Sequence, residues 1–261
     1  MSGNDPMEKV RRIEATDCSI GPQEMRQRLL KTVMGARLDT PAEFVILTGC
    51  RSPAAFTHLF HLIKLLKYYA VNYTFLSEET CCGNSFLDGL DSTDEDGKAR
   101  LLADYARNFE DRNLDRIRKL GVGKIVTACP GCNTRYNQFQ ANGDVEILYY
   151  TQLLARYAKD IRLDSEVNFY EGCHKHHRMP GFKIDTQSSK ALIKGMQALD
   201  VTDIPNYCCR NLAEKIYERA STGTIVTPTS CCWSFLTNQA KPDSPNILTL
   251  TQFMCQSLGI A

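Results

Sequence analysis

The chain has 261 residues, 43% of them hydrophobic and 23% charged, and a formal net charge of +1. That is the balance of an ordinary soluble globular protein, long enough for one large domain or two small ones. It lacks the basic excess that nucleic acid or an anionic membrane surface would require of a partner.

The first twenty residues hold no apolar signal core, and no stretch approaches the ~18 consecutive apolar residues of a membrane span, so a cytoplasmic location is expected. The segment "PQEMRQRLLKTVM" (22–34) is predicted as one helix of an N-terminal extension, suited to docking a partner. "EFVILTG" (43–49) is a β-rich run ending in glycine, a strand entering a tight turn. Apolar residues at 56, 59, 60, 63 and 66 mark an amphipathic helix over 55–70, and "NYTFLS" (72–77) is a second strand. The acidic stretch 87–98 reads as a solvated loop before a long helix at 97–120. "KIVTA" (124–128) is a third strand, "NTRYNQFQ" a short helix, and "VEILYY" (145–150) a fourth strand before a helix at 151–160. Strands alternating with helices indicate a parallel α/β sheet.

The chain then repeats itself. "GKIVTACPGC" (123–132) matches "GTIVTPTSCC" (223–232) without a gap at an offset of 100, and 145–157 matches 245–257 at the same offset. Upstream, "VILTGCRSP" (45–53) resembles "NFYEGCHKH" (168–176), and "EETCCGN" (78–84) pairs with "PNYCCRN" (205–211). Four segments recurring in one order indicate an internal duplication. The expected fold is α/β, with two homologous halves related by a pseudo-twofold. Each half is a small parallel sheet flanked by helices, and the second follows the same element order from Val167. The expected domains are an extension over 1–42, a first cysteine-rich domain over 43–160 and a second, divergent one over 161–261.

Twelve cysteines are the unusual feature. In a reducing compartment they are ligands or catalysts more readily than structural disulfides. Cys50, Cys129 and Cys132 fall at the C-terminal ends of predicted strands, the edge where open parallel sheets bind ligands. The adjacent Cys81 and Cys82 have Cα atoms about 3.8 Å apart, short of the roughly 4.4–6.8 Å a disulfide prefers. Such a pair suits different metal atoms of one cluster better, and Gly83 fits a turn bringing backbone close to it. Five cysteines per copy also exceed the four ligands of a structural zinc or an ordinary cubane cluster. The excess points to an unusual cluster, or to a reactive thiol beside a metal.

This doubled C…CCG…C-x-x-C pattern resembles the cysteine-rich CCG family, especially the B subunit of heterodisulfide reductase and its relatives in sulfur-oxidising complexes. The resemblance runs over about residues 44–261. It implies a noncubane [4Fe-4S] cluster on Cys50, Cys81, Cys82, Cys129 and Cys132, and a second on the other copy. A disulfide or thiol substrate, free or carrier-bound, would exchange electrons with the clusters. It further implies two partners, the ferredoxin-like C subunit and the flavin-carrying A subunit of such complexes. The chain itself shows no C-x2-C-x2-C-x3-C-P run and no G-x-G-x-x-G.

The second copy departs from the pattern. "CCG" has become Cys208, Cys209 and Arg210. Thr229 stands where Cys129 does, Cys231 where Gly131 does, and Cys232 where Cys132 does. Its cysteines, Cys173, Cys208, Cys209, Cys231 and Cys232, either hold a variant noncubane cluster or a site with fewer metal ions or zinc. His174, His176 and His177 beside Cys173 are surface residues of a polar turn, or ligands and proton donors for a thiolate product; His174 is the catalytic candidate among them. Arg51 and Arg210 adjoin ligand positions and suit either an anionic substrate or a surface ion pair. Cys255 and Trp233 read as core residues, and Cys18 has no assigned role. Two rival functions remain: the iron–sulfur component of a lactate- or glycolate-oxidising complex, and a non-catalytic electron relay or zinc-stabilised scaffold.

Overall fold

The computed structural model describes residues 5–21, 23–50, 55–87, 97–140, 145–159, 161–172 and 187–260, the side chains of Gln138 and Gln140 excepted. Two four-stranded sheets organise it. In the first, β1 (Phe44–Leu47) lies between β2 (Tyr73–Phe75) and β3 (Lys124–Thr127), parallel to both, and β4 (Glu146–Tyr149) follows β3, giving the order β2-β1-β3-β4. In the second, β5 (Arg162–Tyr170), β6 (Gln197–Ile204), β7 (Thr224–Thr227) and β8 (Asn246–Thr249) are parallel in the order β6-β5-β7-β8. The two orders are the same once the strands are matched along the chain, as two homologous halves require.

The central strands are buried on both faces, which is why they read as unbroken apolar runs rather than alternations. All four residues of β1 are buried. The second sheet also runs further than the repeat predicts. β5 starts at Arg162 rather than Val167, because 162–166 pair with β6 as an exposed polar ribbon that leaves no hydrophobic pattern.

By packing, the chain forms two compact units, Met1–Pro53 with Asn72–Ile147 and Ala54–Val71 with Leu148–Ala261. The first unit holds α1 (Pro6–Thr16), α2 (Gln23–Arg28), α4 (Asn84–Leu87), α5 (Lys98–Lys119) and α6 (Pro130–Gln140). The second holds α3 (Phe56–Tyr68), α7 (Tyr150–Tyr157), α8 (Gln187–Lys194), α9 (Ala213–Glu218), α10 (Ser230–Gln239) and α11 (Leu250–Ser257).

Helix α1 is an element that the hydrophobic pattern does not announce. Its signals are local: Asp5 caps Met7 N–H at 3.1 Å, Pro6 opens the first turn, and Val10 and Ile13 are buried one turn apart. The helix expected over 22–34 is instead α2 followed by a π-turn, Leu29–Val33, closed by Met34 N–H to the Leu29 carbonyl at 3.0 Å. Leu30 and Met34 of that turn are buried, while Met25 and Val33 are exposed.

Within the second unit the two repeat copies trade helices. Thr151 on α7 bonds Ser188 on α8 at 2.6 Å. Its repeat partner Thr251, on α11, donates to the His58 carbonyl on α3 at 3.0 Å. Each helix that follows a copy's first strand thus packs on the last helix of the other copy. Cys255, on α11, is buried and donates to the His61 carbonyl at 3.5 Å, the core role read for it.

Candidate metal centre

The strand order creates a switch point in the first sheet. From β1 the chain crosses to one side to form β2 and to the other to form β3, leaving a crevice beyond the carboxyl ends of β1 and β3. Cys50 follows β1, Cys81 and Cys82 follow β2, and Cys129 and Cys132 follow β3. The five thiols meet there in a chain of contacts. Cys50 and Cys81 hydrogen-bond, as do the neighbours Cys81 and Cys82. Cys132 donates to Cys82 with the sulfurs 3.4 Å apart, and Cys129 bonds Cys132. All five are free cysteines, with Cys81, Cys82 and Cys132 buried.

Two glycines make this convergence possible. Gly49 has φ +78°, and a Cβ there would lie 2.8 Å from the Cys129 Cβ and 3.4 Å from the Cys132 sulfur. Gly83 has φ +77°, and its Cβ would meet Phe86 at 2.6 Å and Ala106 at 2.9 Å. Only glycine serves at either place.

A buried polar frame holds the turns. The Glu79 carboxylate accepts from Thr48 N–H at 2.8 Å and Gly49 N–H at 2.7 Å, fixing the loop into Cys50. Arg26 donates to the Glu79 carbonyl at 2.6 Å from the N-terminal extension. Cys81 N–H donates to the Asp17 carbonyl at 2.8 Å, and the Cys81 thiol to Ser19 at 3.4 Å. On the far side, Asn113 of α5 clamps Thr80, accepting from its N–H at 2.8 Å and donating to its carbonyl at 2.7 Å. These supports were not legible as motifs, since each reaches the thiols from tens of residues away. Cys18 lies among them, buried, bonded to Gln23 and electrostatically coupled to Cys50; burial pushes its thiol up to about 11.

The thiols differ sharply in acidity. Hydrogen bonds from Cys132 and then Cys81 pull the Cys82 thiol below its ordinary range, against the opposing effect of burial. Cys81 is drawn down by Cys50 but pushed up more, to about 12, by its bond to Cys82 and by burial. Cys132 is raised by its bonds to Cys129 and Cys82. Cys132 also lies in the first turn of α6, whose N-terminal dipole favours negative charge. Among the described residues no three Cys, His, Asp or Glu side chains converge on one point as a single metal ion requires. Soft thiolates are the ligand type that iron–sulfur groups and zinc both take.

The second switch point, between β5 and β7, is built differently. Cys209, Cys231 and Cys232 gather in one apolar cluster with Tyr170, and Cys208 is half-buried beside Cys209. A hydrogen bond from Cys232, outweighing burial, lowers Cys209. Thr229 occupies the place of Cys129: a Cβ on Gly172 (φ +91°) would collide with the Thr229 hydroxyl, which donates to the Glu171 carbonyl at 3.3 Å. Arg210, at the position of Gly83, is not left-handed; among the described residues positive φ outside glycine falls at Asp17, Asp39, Ala70 and Ala198. Its guanidinium lies over the Phe235 ring at 5.8 Å. Trp233 packs against the cluster and donates to the Ile247 carbonyl at 3.0 Å. Cys173, His174, His176, His177 and Arg51 lie outside the described residues.

Five thiols gathered at a switch point make this edge of the parallel α/β sheet a candidate thiolate metal centre. Residues 45–136, which carry all five, match the model of the cysteine-rich CCG domain. The chain is similar to an uncharacterised iron–sulfur protein of Methanocaldococcus jannaschii, 26% identical over 149 residues, covering 56% of this chain and 27% of that protein. It is similar to the D subunit of the dihydromethanophenazine:CoB–CoM heterodisulfide reductase of Methanosarcina barkeri, 24% identical over 58% of this chain and 38% of that protein. It is also similar to the EtfAB:quinone oxidoreductase of Syntrophomonas wolfei, 30% identical over 39% of this chain and 13% of that protein. The chain therefore spans well under half the length of each, and these relatives are iron–sulfur or oxidoreductase proteins. Among the described residues no helix is long and apolar enough to cross a membrane.

Proposed function

We propose that the chain is an iron–sulfur redox protein of a larger complex, resembling the B subunit of heterodisulfide reductase, with a noncubane [4Fe-4S] cluster on Cys50, Cys81, Cys82, Cys129 and Cys132. The observation that carries this reading is the chain of five free thiols at the first switch point. When bound, the cluster supplies one-electron steps beside a thiol or disulfide. The protein's own part is to hold the thiols through Glu79, Asn113 and the two glycines, to keep water out, and to favour negative charge with the α6 dipole. Reducing a disulfide takes two electrons and two protons and releases two thiols. The electrons come from ferredoxin-like and flavin partner subunits, and His174 is the proposed proton donor.

Thr229 in the place of Cys129 favours a second reading for the other copy. There the site holds zinc or fewer irons, and the chain relays electrons from one cluster instead of working a disulfide between two. Iron, zinc and acid-labile sulfide counted on protein purified without oxygen separate the readings. About eight irons mean two four-iron clusters, and about four irons mean one. A folded chain without iron removes the proposal.

A further inference from the structure

The N-terminal extension grips the Cys81 turn at three successive residues. Arg26 donates to the Glu79 carbonyl at 2.6 Å, Asp17 accepts from the Thr80 hydroxyl at 2.6 Å, and the Asp17 carbonyl accepts from Cys81 N–H at 2.8 Å. Glu79 also reaches the other way. Its carboxylate accepts from Thr48 N–H at 2.8 Å and Gly49 N–H at 2.7 Å, in the turn into Cys50. Arg26 and Glu79 therefore form one bridge between the turns that carry Cys50 and Cys81.

The bridge is buried and unevenly paired. Arg26 is 1% exposed, and its guanidinium stays charged in any protein environment. Its Nη2 is spent on the Glu79 carbonyl and on Gln23. Its Nη1 stands 3.9 Å from the Glu79 carboxylate, too far for a hydrogen bond, and both Nη1 and Nε are buried without a hydrogen-bond partner. The carboxylate is turned to the Thr48–Gly49 backbone and the Thr48 hydroxyl instead. A buried cation held on one side only is costly by itself. The cost falls where negative charge gathers nearby, as thiolate ligands and an added electron bring it. We propose that Arg26 is a positioning residue: through Glu79 it fixes the Cys50 and Cys81 turns, and its buried charge favours the electron taken up by the loaded centre, raising the reduction potential. Reduction adds one negative charge at the centre, and a fixed cation in a low-dielectric surrounding stabilises that state. The inference rests on the reading that the first copy holds an iron–sulfur cluster.

The test compares the full-length wild-type chain with Arg26→Lys, Arg26→Gln and Glu79→Gln, all loaded without oxygen. Iron content and the midpoint potential in a spectroscopic redox titration are measured. Arg26→Gln is expected to be about tenfold harder to reduce at fixed potential, a midpoint about 59 mV lower for one electron. Arg26→Lys keeps the charge and loses the planar fork, and is expected to stay within about threefold of wild type. A role in holding the turns alone would move these two variants together, since neither reproduces the guanidinium's contacts. Glu79→Gln keeps an acceptor for Gly49 N–H and removes the opposing charge, so its midpoint rises; it decides the matter if Arg26→Gln does not fold or take up iron. Equal midpoints in iron-loaded Arg26→Lys and Arg26→Gln, or in wild type and Glu79→Gln, overturn the inference while leaving the cluster reading intact. A wild-type chain without iron overturns the cluster reading, and this inference with it.

Discussion

The two switch points share a strand order and differ in what supports them. In the first, Gly49 lets Cys129 and Cys132 close on the turn, Gly83 turns left-handed under Phe86, and the 22-residue α5 delivers Asn113 to the Cys81–Cys82 pair. In the second, the glycine before the cysteine remains, but a hydroxyl fills the thiol's place, arginine replaces the second glycine, and the counterpart of α5 is the six-residue α9. Ligand types alone do not make a metal centre. The first copy also has a hydrogen-bonded frame that fixes the turns carrying its thiols, and at metal centres such frames tune affinity and potential. The second keeps most of the thiols, and in α9 it has a shorter helix where the first has the clamp.

The sharpest way to break this contrast is to remove one thiol from each side. Cys82→Ser is expected to abolish the iron and the visible absorption assigned to the first copy, because Cys82 bonds both Cys81 and Cys132. Cys209→Ser is expected to leave that absorption unchanged. Iron analysis and the visible spectrum of both variants, purified without oxygen, check the pair; equal losses would remove the contrast between the copies.

Next in size are the turns. Gly83→Ala forces a side chain into a left-handed backbone, at about 1–2 kcal/mol, and into Phe86 and Ala106, at about 1–3 kcal/mol. A loss of roughly 2–5 kcal/mol in denaturant unfolding is expected. Arg210→Gly, which relieves no such strain, should change stability by less than about 1 kcal/mol.

The asymmetry has a pH signature too. Glu110 on α5 is fully buried, and burial raises its pKa from 4.5 to about 7 against the pull of Arg135. The folded chain therefore holds this proton more tightly than the unfolded chain. The associated stability is complete below about pH 4.5 and is lost as pH rises to about 7. The slope contributed cannot exceed about 1.4 kcal/mol per pH unit. Glu110→Gln should flatten the wild-type slope in that window even if it lowers stability overall by stranding Arg135. A slope that survives the substitution would assign the titration to another group.

Much of this contrast was legible in the sequence because it lives in local patterns. The repeat aligns Thr229 with Cys129 and Arg210 with Gly83, and strand ends place Cys50, Cys129 and Cys132 at one edge. What stayed hidden is long-range and polar. Asn113 reaches Thr80 across 33 residues, and Arg26 reaches Glu79 across 53. No periodicity marks such pairs. Helix α1 leaves little pattern because its buried stripe amounts to Val10 and Ile13 in an otherwise charged segment. Its neighbours Asp17 and Ser19 turn out to touch Cys81, so part of the extension belongs to the site's frame.

A smaller change in stability than at Gly83 comes from rewriting the second copy toward the first. Thr229→Cys restores a thiol against Gly172, where the hydroxyl now sits, and gives up one neutral hydrogen bond to the Glu171 carbonyl, a net cost of about 1 kcal/mol. The volumes are similar, so the turn should survive. If the missing ligand alone separates the copies, this variant gains bound iron over wild type when reconstituted without oxygen. If it folds with an unchanged metal count, the clamp and the left-handed glycine matter as much as the thiol, and a second substitution, Arg210→Gly, becomes the discriminating step. Gain only in the double variant would show that the backbone turn, and not the ligand count, was the larger loss in the second copy.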